Sequence, residues 1–190
     1  MNKIPFFFVL ALLLVCLSSQ RYALANVIEP THITDIHAPN LIHLGHGNYT
    51  RFGFEIYQAH LYVDETKLIK KFAIILDYAR QIQKDVLIKA TIEQLEKLGY
   101  PTKKTLEWKS HLDKIYPNIN KGDQFAAIYS PTSGTTFIYG DKIVGNVLDQ
   151  DFAEAFFGIW LSSKTSDPEL RSKLLAKTCP EFILQSLSCQ

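Results

Sequence analysis

Tyr49-Thr-Arg-Phe-Gly-Phe-Glu-Ile-Tyr-Gln-Ala-His-Leu-Tyr-Val63 carries the strongest strand signal in the chain. Phe52, Phe54 and Ile56 alternate as the residues of one strand face do. After Tyr57 the apolar positions move to Ala59, Leu61 and Val63. A switch of face like this predicts a bulge or a turn between two strands. Phe72–Tyr78, rich in β-branched and aromatic residues, predicts a further strand.

Downstream the period changes. Residues 85–98 place Val86, Leu87, Ala90, Leu95 and Leu98 at helical spacing, with Gly99 as the stop. A second helix spans Thr102–Tyr116, between Pro101 and Pro117. Three strands follow in quick succession, Gln124–Ser130, Thr135–Tyr139 and Lys142–Val147. Pro131-Thr-Ser-Gly134 and Gly140-Asp141 supply their turns. Asp151–Leu161 reads as a very apolar helix. Asp167 as N-cap and Pro168 at the first position open a last one. Upstream, residues 26–47 are polar, rich in His and broken by Pro30 and Pro39, so they read as an irregular lead-in with at most one short strand. Strands, two helices, a three-stranded meander and two more helices make an α+β fold with antiparallel strands and grouped helices. An alternating nucleotide-binding array is excluded. Gly45-His46-Gly47 lacks the third glycine and a preceding strand, and there is no phosphate loop.

The chain has 190 residues, 47% hydrophobic and 21% charged, with a formal net charge of +1. That fits one globular domain and gives no electrostatic footprint for nucleic acid as a partner. Lys70-Lys71 and Lys103-Lys104 are short solvated pairs. Residues 1–25 have the layout of a secretory signal: Lys3, an apolar run from Ile4 to Leu17, then Ala23-Leu24-Ala25 as the cleavage site. The run is shorter than the ~20 residues that span a bilayer, so no membrane anchor is expected after cleavage. Leu13, Leu14 and Val15 before Cys16 speak against a lipid attachment there. The expected organisation is therefore a signal over 1–25, a domain over 26–176 and a tail over 177–190, in a protein exported to the periplasm or secreted. Cys179 and Cys189 survive cleavage, and an oxidising compartment favours a disulfide between them. A loop this short contributes roughly 2–3 kcal/mol. The tail's Phe182, Ile183, Leu184 and Leu187 predict a turn or short helix packed on Leu170, Leu174 and Leu175 of the preceding helix.

Several short motifs occur in order: Arg51-Phe-Gly-Phe-Glu-Ile-Tyr57-Gln-Ala-His-Leu-Tyr62, Lys121-Gly122-Asp123, Gly134-Thr135-Thr136, and Phe152 followed by Phe156-Phe157-Gly158-Ile159-Trp160-Leu161. Together they resemble the bacterial chalcone isomerase-like domain over about residues 38–176. The resemblance implies an open-faced β-sandwich, in which a long antiparallel sheet carries a helical layer and a cleft lies between them. Plant members of the superfamily close a flavonoid ring, using a cationic Arg and a Thr or Tyr hydroxyl in a preorganised cleft. Related plastid proteins bind fatty acids, with an Arg and a Tyr on the carboxylate. The family Arg closes a Gly-Ala-Gly-Val-Arg run. The matching run here is Gly45-His-Gly-Asn-Tyr49, which puts Tyr49 at the Arg position and leaves Arg51 two residues on. The hydroxyl position falls on Tyr57, as in the fatty-acid binders.

Arg51 and Tyr57 are therefore the candidate ligand clamp, a guanidinium fork beside a phenol donor. Strand parity groups them with Tyr49 and Glu55. Arg80, after Tyr78 at a strand end, is a third ligand-binding candidate. No catalytic residue beyond Arg51 and Tyr57 is proposed. No cofactor motif, Gly-x-Ser-x-Gly elbow or His-Glu-x-x-His run is present. Of His32, His37, His43 and His46, only His43-x-x-His46 has ligand spacing, and no carboxylate or Cys pattern completes it, so no metal is expected. Asn48-Tyr-Thr50 is a glycosylation sequon, relevant only on a eukaryotic secretory route. Three functions compete: a non-catalytic binder of a small amphipathic ligand such as a fatty acid, an intramolecular lyase, and an envelope interaction module working through the apolar tail. The exported chain is expected to show the mass of residues 26–190 less two hydrogens. Two alkylatable thiols in freshly isolated native protein would contradict that.

Overall fold

Phe52 and Gly53 turn the chain back on itself, with φ of 52° and 77°. They join β1 (Ile42–Arg51) to β2 (Phe54–Val63) in the computed structural model, which describes Ile33, Thr34 and residues 37–188. The turn lies five residues earlier than the face switch suggested. Consequently Phe52 and Phe54 do not line a buried face. They are 86% and 55% exposed at the hairpin tip. The irregularity the sequence implied is also present. Tyr49 pairs with Tyr57 and Thr50 with Glu55, so the ladder slips by one residue at Ile56.

Beyond the hairpin come β3 (Leu68–Ile69), β4 (Phe72–Tyr78), α1 (Lys84–Lys97) and α2 (Thr102–Ile115). Next are β5 (Gln124–Ser130), β6 (Gly134–Tyr139), β7 (Lys142–Val147), α3 (Gln150–Leu161) and α4 (Pro168–Leu174). Six strands form one antiparallel sheet in the order β1-β2-β4-β5-β6-β7. The α+β architecture and the predicted strand at Phe72–Tyr78 match the sequence reading. Ile42–Gly47 belongs to β1 and is not irregular as expected. Alternating glycine and histidine gave that stretch no apolar period to read.

Each sheet face has its own apolar cluster. Ala59, Leu61, Phe72, Ile74, Phe125 and Phe137 face the helices. α3 lies deepest in that layer, with Phe152, Phe156 and Phe157 almost wholly buried. On the other face Tyr62, Ala73, Ile75, Ala126, Ile128 and Ile138 are covered by Ile33, Ala38 and Leu41 of the lead-in. Asp167 caps α4, accepting from the Leu170 amide at 2.9 Å. Among the described residues no helix is long and apolar enough to cross a membrane.

The tail differs from expectation in its neighbours. Phe182, Leu184 and Leu187 are buried as anticipated. Glu181–Phe182 forms a strand, β8, parallel to β3, and Gln185–Leu187 makes a 3₁₀ turn against α3. Phe182 reaches the centre of the domain, with its ring 5.2 Å from that of Phe72. A two-residue strand leaves no periodicity to read, which is why β3 and β8 were not foreseen. Cys189 lies outside the described residues, as do residues 1–32 with the expected signal.

Gly45 and Gly47 let α4 lie directly on β1. A Cβ at Gly45 would come within 2.4 Å of the Lys173 carbonyl oxygen, and one at Gly47 within 2.9 Å of the Leu170 side chain. Both glycines thus serve packing and not phosphate binding. Gly45→Ala must push backbone aside, and the expected loss is about 1–3 kcal/mol in urea unfolding.

Candidate functional site

A cavity of about 770 Å³ opens between the sheet and the helical layer. That volume is in the usual range for a small-molecule site. β4 contributes Leu76 and Tyr78, β5 Phe125, α1 Leu87 and Thr91, α3 Phe156 and Trp160, and Tyr116 follows α2. These positions face the helices because residues of one parity on each strand do. β1 and β2 add Tyr49 and Tyr57. Their rings stack at 5.0 Å, and Tyr57 meets Tyr78 edge-on at 5.6 Å.

Tyr57 is the polar centre of this wall. Its hydroxyl accepts a hydrogen bond from Trp160 Nε1 at 3.1 Å. Its own proton is therefore left to donate to a ligand. Burial pushes the Tyr57 phenol well above its usual value, with the Trp160 bond pulling the other way. Burial also raises Tyr78 and Tyr116. The Tyr116 hydroxyl lies 3.3 Å from Thr91 Oγ1. The cavity thus offers neutral hydroxyl donors in an apolar surround, where a hydrogen bond is stronger than in water.

Two guanidiniums stand at the mouth. Arg51 and Arg80 both line the cavity, and both are exposed. Arg51 lies over Phe52 at 5.3 Å, and Arg80 over Phe54 at 4.3 Å. Arg80 Nε also donates to the Glu55 carbonyl at 3.2 Å. Neither makes an ion pair among the described residues. The structure brings Arg51, Tyr57 and Arg80 to one cavity, but not by the parity argument. Arg51 and Tyr57 sit on different strands, and the slip at Ile56 separates Glu55 from Tyr57. Glu55 accepts instead from Asn48 Nδ2 at 2.8 Å. Asp167, also at the rim, is occupied as the α4 cap.

Sequence reasoning passed over Tyr49, Tyr78, Tyr116 and Trp160 as site residues. The recurrence of tyrosine at one strand parity was the available signal. It also found nothing to complete His43-x-x-His46. The structure supplies His60 from β2, and one ring nitrogen from each of the three lies within 4.8 Å of the others.

The sequence profile described as chalcone isomerase-like matches residues 24–176. The chain belongs to the chalcone isomerase-like family. Among its relatives is an uncharacterized protein of Haemophilus influenzae, 25% identical over 142 residues, covering 71% of this chain and 68% of that one. A fatty-acid binding protein of Arabidopsis thaliana has a similar fold, with a TM-score of 0.56 and 14% identity, covering 73% of this chain and 88% of that one. In this chalcone isomerase-like chain the cavity lies between the sheet and its helices, where the resemblance put a cleft.

The tyrosines make a pH test. An unfolded chain ionises tyrosine near pH ~10. A phenol held above that value stabilises the fold fully below pH ~10 and progressively less above it. Urea stability is expected to fall from about pH 10 upward. The tyrosinate absorbance of Tyr57, Tyr78 and Tyr116 should appear only together with unfolding.

Proposed function

We propose that this protein is a non-catalytic binder of a small amphipathic acid, such as a fatty acid. The apolar part lies in the cavity, and Arg51, Arg80 and Tyr57 receive the carboxylate. One observation carries the reading: a largely apolar cavity of about 770 Å³ has at its mouth two guanidiniums that make no ion pair among the described residues, and a neutral phenol in its wall. Carboxylates suit forked guanidinium donors, and the chain suits the aromatic interior. The Arabidopsis fatty-acid binding protein of similar fold supports the ligand class. Ring closure is the weaker reading. An exposed Arg51 is screened by solvent and stabilises a developing enolate poorly. The interaction-module reading rested on the apolar tail, and Phe182, Leu184 and Leu187 are spent inside the domain.

The proposal includes export, by the signal-like residues 1–25, to the periplasm or the medium. It also includes a Cys179–Cys189 bridge closing the tail, and its support is that Cys179 is not a free thiol. Straight-chain carboxylic acids and the matching alcohols, titrated against the protein, test the binding. The acids are expected to bind more tightly. Each of Arg51→Ala and Arg80→Ala is expected to weaken acid binding about tenfold, the low end for a charged hydrogen bond because both guanidiniums are exposed, and to leave alcohol binding unchanged. Equal affinity for acids and alcohols in the unaltered protein would refute the clamp.

A further inference from the structure

We propose that His43, His46 and His60 form a binding site for a divalent transition-metal ion of the zinc–copper class, on the sheet face opposite the cavity. The hairpin register makes the site. His46 pairs directly with His60, and His43 with Tyr62, across neighbouring strands. The three rings form a near-equilateral triangle, with centroid separations of 5.5, 5.6 and 5.5 Å. His60 shares strand parity with Tyr62, away from Tyr57, Ala59 and Leu61.

His60 is the decisive residue. It is 4% exposed. Its Nε2 lies 3.0 Å from Gln58 Oε1 and 3.1 Å from Asp77 Oδ2. Both partners accept, so Nε2 carries the proton and Nδ1 carries the lone pair. That Nδ1 is buried and has no hydrogen-bond partner among the described residues. A buried acceptor left unsatisfied is costly, and a metal ion would use it. Asp77 is itself held, accepting from Gln124 Nε2 at 2.6 Å. A carboxylate fixing the far nitrogen of an imidazole is the usual outer support of a histidine ligand.

His43 and His46 are exposed on β1 and complete the set. Tetrahedral zinc, with nitrogen at about 2.0–2.1 Å, asks for ligand separations of about 3.3 Å. The present spacing is up to 4.8 Å, and rotation of the two exposed side chains closes it. Three neutral nitrogen donors and no oxygen donor suit zinc or copper and not magnesium or calcium. A fourth position is left, on the exposed side, for water or a small exogenous ligand.

The full chain, made without a polyhistidine tag and stripped with EDTA, is titrated by calorimetry with Zn²⁺, Cu²⁺ and Mg²⁺. Native mass spectrometry counts the bound ions. One Zn²⁺ or Cu²⁺ per chain at sub-micromolar Kd is expected, with no Mg²⁺. His43→Ala/His46→Ala changes only exposed side chains, so its circular dichroism should be unaltered while metal affinity falls at least a hundredfold. Asp77→Asn should weaken binding about 10–100-fold, as loss of an outer-shell partner does. The proposal is overturned if neither Zn²⁺ nor Cu²⁺ binds the unaltered chain below about 100 μM. Unchanged affinity in the double variant overturns it too, because binding would then lie at other histidines.

Discussion

The Phe52–Gly53 turn sets the alignment of β1 on β2, and the two candidate sites of this molecule, one on each sheet face, depend on that alignment. In a strand the side chains alternate, so a slip of one residue would exchange everything on one face for everything on the other. With the observed register, Tyr49 meets Tyr57 on the helical side and His46 meets His60 on the opposite side. Of the two irregularities in this ladder, at Leu44 and at Ile56, the second lies at the sheet end beside the cavity mouth. Past it Thr50 pairs with Glu55, whose carboxylate accepts from Asn48 Nδ2. Phe52 takes a backbone conformation that glycine or asparagine usually occupies. The ring stays in solvent, beneath the Arg51 guanidinium.

Behind the hairpin, β4 supports both faces at once. Tyr78 and Leu76 point into the cavity, while Asp77 between them points the other way, to His60 and Gln124. On the helical side, buried rings of α3 fill the space against Phe72 and Phe137 and bring Trp160 to the Tyr57 hydroxyl. On the far side a polar ladder runs Asn48–Gln58–His60–Asp77–Gln124 across four strands. The sheet is thus amphipathic along its length as well as between its faces. It is apolar at the end covered by Ile33, Ala38 and Leu41 and polar toward the end bearing Asn48.

Much of this was readable where local chemistry decides local structure. Asp167-Pro168 marked the start of α4 because a cap and a φ-restricted ring act within one turn. Phe72–Tyr78 and Lys142–Val147 were readable because their residues suit strands and their turns are punctuated by polar residues or glycine. The hairpin turn was misplaced because Phe-Gly resembles no standard turn pair, and apolar residues at its tip imitated a buried face. Glycine and histidine hid the first half of β1, since the packing partner there is a helix backbone that needs an absent side chain. Among site residues, Arg51, Tyr57 and Arg80 were reachable by resemblance. Trp160 and His60 were not, because each gains its role only from a partner that the fold supplies, 103 residues away for Trp160.

The parallel pairing of β8 with β3 has a bearing on how the chain comes to be finished. Phe72 is ringed by Tyr129, Phe157 and Phe182, so the middle of the domain draws on residues made early, midway and late. Contacts this distant in sequence form slowly, because a long loop must close before they contribute anything. Until Phe182 docks, Phe72 lacks one of the rings that surround it. The centre is therefore expected to close as one cooperative unit and not a piece at a time, with the pairing of β8 on β3 as part of that closure.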